Sequence, residues 1–223
     1  MALLSRADGR FPAGVRTLPP ELVRAVQRER LLAAMFKSVT EIGYRALTVQ
    51  NVLSRAGISR PTFYEQFEDK EDCFLAAFDT GAKQLRERVE VAVSDASGSG
   101  WRDRMRAGLA ALLSFVAEEP EMARTVIVEA RASSPAGLLR RDELLDNFAT
   151  CIDSLVREEL PEPPSAIAAA GVVGGIESVL YARLRKGDVE DLDSLLPSLM
   201  YFAVLAYVGQ SAAREELDGA ALA

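Results

Sequence analysis

LTVQNVLSRAGISRPTFYEQFEDKED, residues 47–72, reads as two short helices joined by a tight turn, the pattern of a helix-turn-helix. Thr48 is a good N-cap, and Val49, Val52, Leu53 and Ala56 recur at the spacing of one helical face, so a first helix is predicted from Val49 to Arg55. Gly57 stops it, because glycine takes positive φ without a Cβ clash and lets the chain turn within a few residues. Ser59 can cap the next helix, and Pro61 falls in its first turn, where a missing N–H matters little. Phe63 and Phe67, at i and i+4, face inward with Ile58, which leaves Arg60, Thr62, Tyr64 and Gln66 on the other faces.

Working outward, the run GYRALTVQNVLSRAGISRPTFYEQFEDKEDCF, Gly43 to Phe74, resembles the DNA-binding domain of the tetracycline-repressor (TetR) family of bacterial transcription regulators. The match is carried by Gly43-Tyr44 closing the preceding helix, the Thr48 cap, Ala56-Gly57-Ile58-Ser59, Thr62-Phe63-Tyr64, Phe67 and Lys70-Glu71. The resemblance implies an all-α fold: an N-terminal three-helix DNA-binding domain, joined by a long fourth helix to a larger C-terminal helical domain for ligand binding and dimerisation. It also implies a homodimer that represses from a palindromic operator in double-stranded DNA and is released by a small hydrophobic effector. The family's second half diverges widely, so the resemblance does not name that effector.

Composition agrees with a regulator of this kind. Net charge is −7, but residues 1–60 hold ten Lys/Arg against four Asp/Glu, while residues 61–223 hold sixteen against twenty-nine. Phosphate attraction decays over about 10 Å at ordinary salt, so the local excess of cations governs docking on DNA and the acidic remainder favours solubility. Two cysteines and no histidine leave nothing from which to build a disulfide framework or a metal site, and a reducing cytoplasmic location fits. No cofactor is expected. The sequence offers no signal peptide at Met1 to Pro20, and the apolar run Leu195 to Gly209 is shorter than the ~20 residues of a membrane span, so no membrane contact is expected.

In chain order, residues 1–19 read as a loose basic arm with Arg6, Arg10 and Arg16, either lying on a phosphate backbone or forming an untethered tail. Residues 20–72 form the DNA-binding module, whose first helix carries Val23, Val26, Leu31, Met35, Val39 and Ile42 on one face and Arg24, Arg28 and Arg30 on a solvated one. Asp69 caps a linking helix over 69–93, with Phe74, Ala77, Phe78, Gly81 and Leu85 on its apolar side. Residues 94–223 make the effector and dimerisation domain, with helices near 101–117, 120–131, 136–159, 164–185 and 191–214.

A recognition helix lies in the major groove with its first turns against base edges. Arg60 is assigned to guanine, which a guanidinium grips through O6 and N7; Thr62 and Gln66 are secondary readers, with Ser59 beside them, and Pro61 can press on a thymine methyl. Tyr64 reaches a phosphate with its hydroxyl. Thr48 and Gln50 at one helix start, and Lys70 at another, resemble backbone contacts, as do Tyr44 and Arg45. Gln50 departs from the family, many of whose members carry a basic residue there.

Trp101, Met105, Leu109, Phe115, Met122, Val126, Phe148 and Tyr181 are candidate lining for an apolar ligand pocket, with Arg131 or Glu177 to orient a polar end. Gly171, Gly174 and Gly175 inside a helical pattern weaken that helix unless another helix approaches closely. With Val179, Leu199 and Phe202 they are assigned to a four-helix dimer interface. Two alternatives remain open: a helix-turn-helix dimer with no effector, and a helical interaction protein that keeps the motif as structure. An enzyme is not expected, because no nucleophile–base pair, phosphate loop or metal cluster is legible. If Arg60 reads a base, Arg60→Ala should weaken specific binding by about 1–3 kcal/mol and relax one base position in a gel-shift series, and equal loss on specific and random DNA would reject that role.

Overall fold

The computed structural model describes residues 19–160, 164–165 and 167–218. The arm at 1–18 and the break at Pro161 to Pro163 lie outside those residues. The chain is all-α, with no strand among the described residues. The helices are α1 (Pro20–Ala46), α2 (Val49–Ala56), α3 (Arg60–Tyr64), α4 (Lys70–Asp95), α5 (Trp101–Glu118), α6 (Pro120–Ile127), α7 (Pro135–Arg157), α8 (Ala168–Lys186), α9 (Leu196–Val208) and α10 (Gln210–Asp218). Short 3-10 turns at Glu129–Ala132 and Leu192–Leu195 join α6 to α7 and lead into α9. Among the described residues no helix is long and apolar enough to cross a membrane.

Two apolar cores hold these helices. The first gathers Leu31, Met35 and Val39 of α1, Val52 and Leu53 of α2, Phe63 and Phe67. The second is built from α5 to α9 around Leu113, Phe115, Val116, Leu180 and Met200. Helix α4 enters both: Cys73, Phe74 and Ala77 belong to the first core, and Phe78, Ala82 and Leu85 to the second. Because an unbroken helix cannot bend between those residues at low cost, α4 fixes one core against the other. Where α4 crosses α6, a Cβ on Gly81 would stand 3.0 Å from Val126 Cγ2, so a side chain there would push the helices apart.

Several expected boundaries moved for local reasons. The helix predicted over 120–131 ends at Ile127 and tightens into the 3-10 turn before Ser134 caps α7; Pro135 follows, and the residue before a proline is disfavoured in helix. The helix predicted over 191–214 is broken at Gly209, whose φ of 85° and ψ of 178° no helix contains. The chain then folds α10 back on α9, burying Ala213 and Glu216, the latter paired with Arg106 of α5. In α1 only the middle of the predicted face is buried: Leu31, Met35 and Val39 are inside, whereas Val23, Val26 and Ile42 are exposed.

The predicted stop at Gly43 takes an unusual form. Gly43 has φ 75° and ψ 153°, a region essentially closed to other residues, and helical geometry resumes only for the last turn of α1. Gly43→Ala should therefore cost about 1–3 kcal/mol by urea denaturation and should disturb the start of α2 more than its far end.

Candidate nucleic-acid interface and apolar cavity

Helix α2 begins with a reciprocal cap: Thr48 Oγ1 accepts from Asn51 N–H at 3.3 Å while Asn51 Oδ1 accepts from Thr48 N–H at 2.9 Å. It ends at Gly57 in the left-handed region, φ 61° and ψ 40°, and Arg30 of α1 donates to the freed Ala56 carbonyl. Ser59 Oγ then accepts from Thr62 N–H at 3.3 Å and starts α3. Phe63, wholly buried, anchors the five residues of α3, its ring 5.6 Å from that of Phe67. Opposite Phe63, Arg60, Pro61 and Tyr64 face solvent, and Thr62 is half-buried. Arg60 Nη2 donates to Gln50 Oε1 at 3.3 Å, and Gln50 Nε2 donates to Ser54 Oγ at 3.1 Å, so the first turns of α2 and α3 present one continuous outward surface. Thr48, Arg45 and Ser59 are exposed around its edge.

Three of the residues assigned to DNA have other partners. Tyr44 is buried, its ring 4.6 Å from Phe74, so it belongs to the first core and not to the outer surface. Lys70 Nζ donates to the Tyr44 and Leu47 carbonyls at 3.1 and 3.0 Å and lies 4.2 Å over the Tyr44 ring, leaving it one free N–H. Gln66 falls in the turn after α3 and donates to the Arg24 carbonyl at 3.0 Å, which ties that turn to α1. The arginines of α1 are likewise less free than a solvated face implies: Arg28 lies 4.5 Å over the Phe67 ring, and Arg30 covers the end of α2. Periodicity predicts which face a residue occupies, but it does not show that a long cation will fold back onto a carbonyl.

The second core encloses an apolar cavity of about 120 Å³ between α4, α5, α7 and α8. Met105, Leu109, Val126 and Phe148, four of the residues expected there, line it. Trp101 instead packs edge-on against Tyr207 at 5.8 Å, Phe115 is sealed in the core, Met122 lies beside Gly81, and Tyr181 lies 4.2 Å beneath the Arg131 guanidinium. Sequence reasoning missed Leu85, Val89 and Val93, which line the cavity from α4. Their four-residue repeat extends the apolar face of the linking helix and was legible. At the cavity wall stands Glu177, buried and paired with Arg131 and with Arg141, whose Nη2 lies 3.1 Å from Glu177 Oε1. The cavity shares Val89, Val93, Phe148, Cys151 and Leu155 with an outer groove of about 710 Å³ between α4 and α7, flanked by Lys83, Arg86, Glu87 and Glu90, with Lys83 paired to Glu87 at 3.7 Å.

On the dimer-assigned face, Gly171 and Gly174 have open space where a Cβ would stand, and Val179 and Phe202 are exposed. Gly175 is filled from within the subunit, since a Cβ there would meet Phe202 Cε1 at 2.6 Å. Leu199, also assigned to that face, is buried in the second core.

The two thiols differ sharply. Burial pushes the Cys73 thiol up to about 12, whereas Cys151 is exposed at the cavity rim. A thiolate is the reactive species, so an aromatic disulfide reagent at pH 8 should titrate one thiol per folded chain and two per unfolded chain. Cys151→Ser should abolish the fast reaction.

Residues 31–77 match the profile of bacterial regulatory proteins of the tetR family. The chain is 27% identical over 130 residues to the HTH-type transcriptional activator FasR of Mycolicibacterium smegmatis, covering 58% of each protein. It is 34% identical over 90 residues to the HTH-type transcriptional regulator BetI of Stenotrophomonas maltophilia, covering 40% of this chain and 45% of the relative. The chain thus spans about half the length of the curated relatives it matches. Its fold is shared with the transcriptional regulator FadR of Bacillus subtilis, whose crystal structure is a complex with stearoyl-CoA; TM-score 0.70 and 21% identity, over 79% of this chain and 97% of that one. The profile falls on the helix-turn-helix and on the part of α4 that completes its core, the relatives it matches are regulators, and the fold agrees over 79% of the chain; residues 31–77 are a helix-turn-helix module of the kind found in bacterial regulatory proteins of the tetR family.

Proposed function

We propose that this chain is a transcriptional repressor that binds a palindromic operator as a homodimer and lets go when an amphiphile with a long apolar chain enters the second core. The observation that carries the reading is the outward surface of Gln50, Arg60 and Tyr64, mounted on a buried Phe63 and joined through α4 to a cavity lined almost wholly by apolar side chains. One recognition helix meets only a few base pairs, so useful selectivity needs two of them about one helical turn apart on the duplex. The exposed Gly171, Gly174, Val179 and Phe202 supply the apolar face for that pairing.

Support for the ligand class comes from shape and from a neighbour. The cavity is small and apolar, and it runs into the larger groove, whose rim carries Lys83 and Arg86 with Glu87 and Glu90 beside them. A chain-like tail in the cavity with a polar head at the rim suits that layout. The FadR protein of the same fold is known in complex with stearoyl-CoA. The ligand acts as an inducer only if it binds the DNA-incompetent state better than the competent one. Arg60, Pro61, Thr62 and Tyr64 read bases and nearby phosphate, with Thr48, Arg45 and Ser59 at the edge; Lys70 serves chiefly as an internal clamp.

DNA selected from a random pool is expected to yield a two-fold symmetric site, and stearoyl-CoA, the first probe, is expected to weaken binding to it while shielding Cys151 from thiol reagents. Phe202→Glu is expected to give monomers in sedimentation and to lose the symmetric site's advantage. A reporter under that site should rise on deletion of the gene; a fall would make the protein an activator. Selection that recovers no symmetric site, or a Phe202→Glu protein that stays dimeric, would overturn the corresponding part of the reading.

A further inference from the structure

The 3-10 turn Glu129–Ala132 touches both ends of the problem. At its start, the buried carboxylate of Glu129 accepts from the Tyr44 N–H at 3.0 Å. That N–H is available only because Gly43 breaks helical geometry immediately before it; an orphaned backbone donor in the interior needs a partner, and Glu129 is that partner. The Tyr44 carbonyl is held in turn by Lys70 of α4, and four residues later Thr48 opens α2. At the other end of the turn, Arg131 donates to Glu177 through Nε at 3.2 Å and through Nη2, and Glu177 stands in the cavity wall with Arg141. Val126 and Ile127, which also line the cavity, end the helix that leads into the turn. Arg124 ties the same carboxylate to the end of α8, with Nη2 3.3 Å from Glu129 Oε1 and Nη1 2.8 Å from the Leu184 carbonyl.

We infer that Glu129 is a latch whose grip on Tyr44 N–H is set by the state of the cavity wall, through Arg131 and Glu177. A chain that fills the cavity moves Val126, Ile127 or Glu177; the short turn cannot absorb the shift internally, and Glu129 withdraws from Tyr44. The start of α2 then loses one of the two ties that hold it to the second core and α4. Glu129, Arg131 and Glu177 are positioning residues: none faces the DNA surface. The inference rests on reading the chain as a ligand-responsive DNA binder, but its test needs neither DNA nor ligand, so failure of one can be told from failure of the other.

The test is amide hydrogen exchange on the full chain, following Tyr44 against Phe63 as an internal control in the same core. Glu129→Ala is expected to speed Tyr44 exchange by roughly tenfold or more without moving Phe63. Glu129→Gln keeps an acceptor and should restore much of the protection. The decisive variants are Arg131→Ala and Glu177→Gln, neither of which touches Tyr44: both are expected to speed Tyr44 exchange several-fold, with Arg131→Lys near wild type. Circular dichroism identifies any variant that fails to fold, and Glu177→Gln, which conserves volume, then stands in for Arg131→Ala. Tyr44 protection unchanged in Arg131→Ala and Glu177→Gln would overturn the latch, as would acceleration of Tyr44 and Phe63 together, because either result makes Glu129 a local packing contact with no line to the cavity.

Discussion

Helix α4 is the constraint on which this molecule depends. Its first turns complete the core beneath the helix-turn-helix and its later turns wall the apolar cavity, so α4 is common to both regions. A helix rises about 1.5 Å per residue, and a small tilt at Leu85 or Val89 becomes a larger displacement at Lys70. The glycine at the α4–α6 crossing brings the two backbones close, which leaves little slack between cavity and helix-turn-helix.

The polar contacts that hold the segment leading into α2 are buried or half-buried. Glu129 on Tyr44 N–H and Lys70 on the Tyr44 and Leu47 carbonyls grip the same short segment from opposite sides. Buried polar groups of this kind contribute modestly when paired and destabilise strongly when left alone, so such contacts favour one discrete arrangement over a continuum. A regulator needs that discreteness, since a ligand shifts a population only between states that differ in its affinity.

The fold was legible because its punctuation is strong. Thr48, Gly57, Ser59 and Asp69 each mark a helix end that the backbone then uses. Legibility failed where an answer depends on a partner distant in sequence. Nothing near Tyr44 says that a glutamate 85 residues away will take its N–H, and nothing near Lys70 says that its ammonium will turn inward to two carbonyls. Cavity lining was half-read for the same reason: apolar spacing names the inward face of α5 correctly, but whether Phe115 meets a void or another side chain is settled by helices elsewhere in the chain. Gly209 was passed over because it closes the apolar run from Leu195 and reads as part of that helix, yet its backbone breaks the helix there.

Helix α3 is attached almost entirely through one side chain. Within α3 only Phe63 is buried, and the helix is started by Ser59, outside its five residues. Positions 60, 61 and 64 therefore carry little responsibility for the stability of the protein. Selection can exchange them freely, so a duplicated copy of this gene can change the outward chemistry of α3 long before its fold has to change.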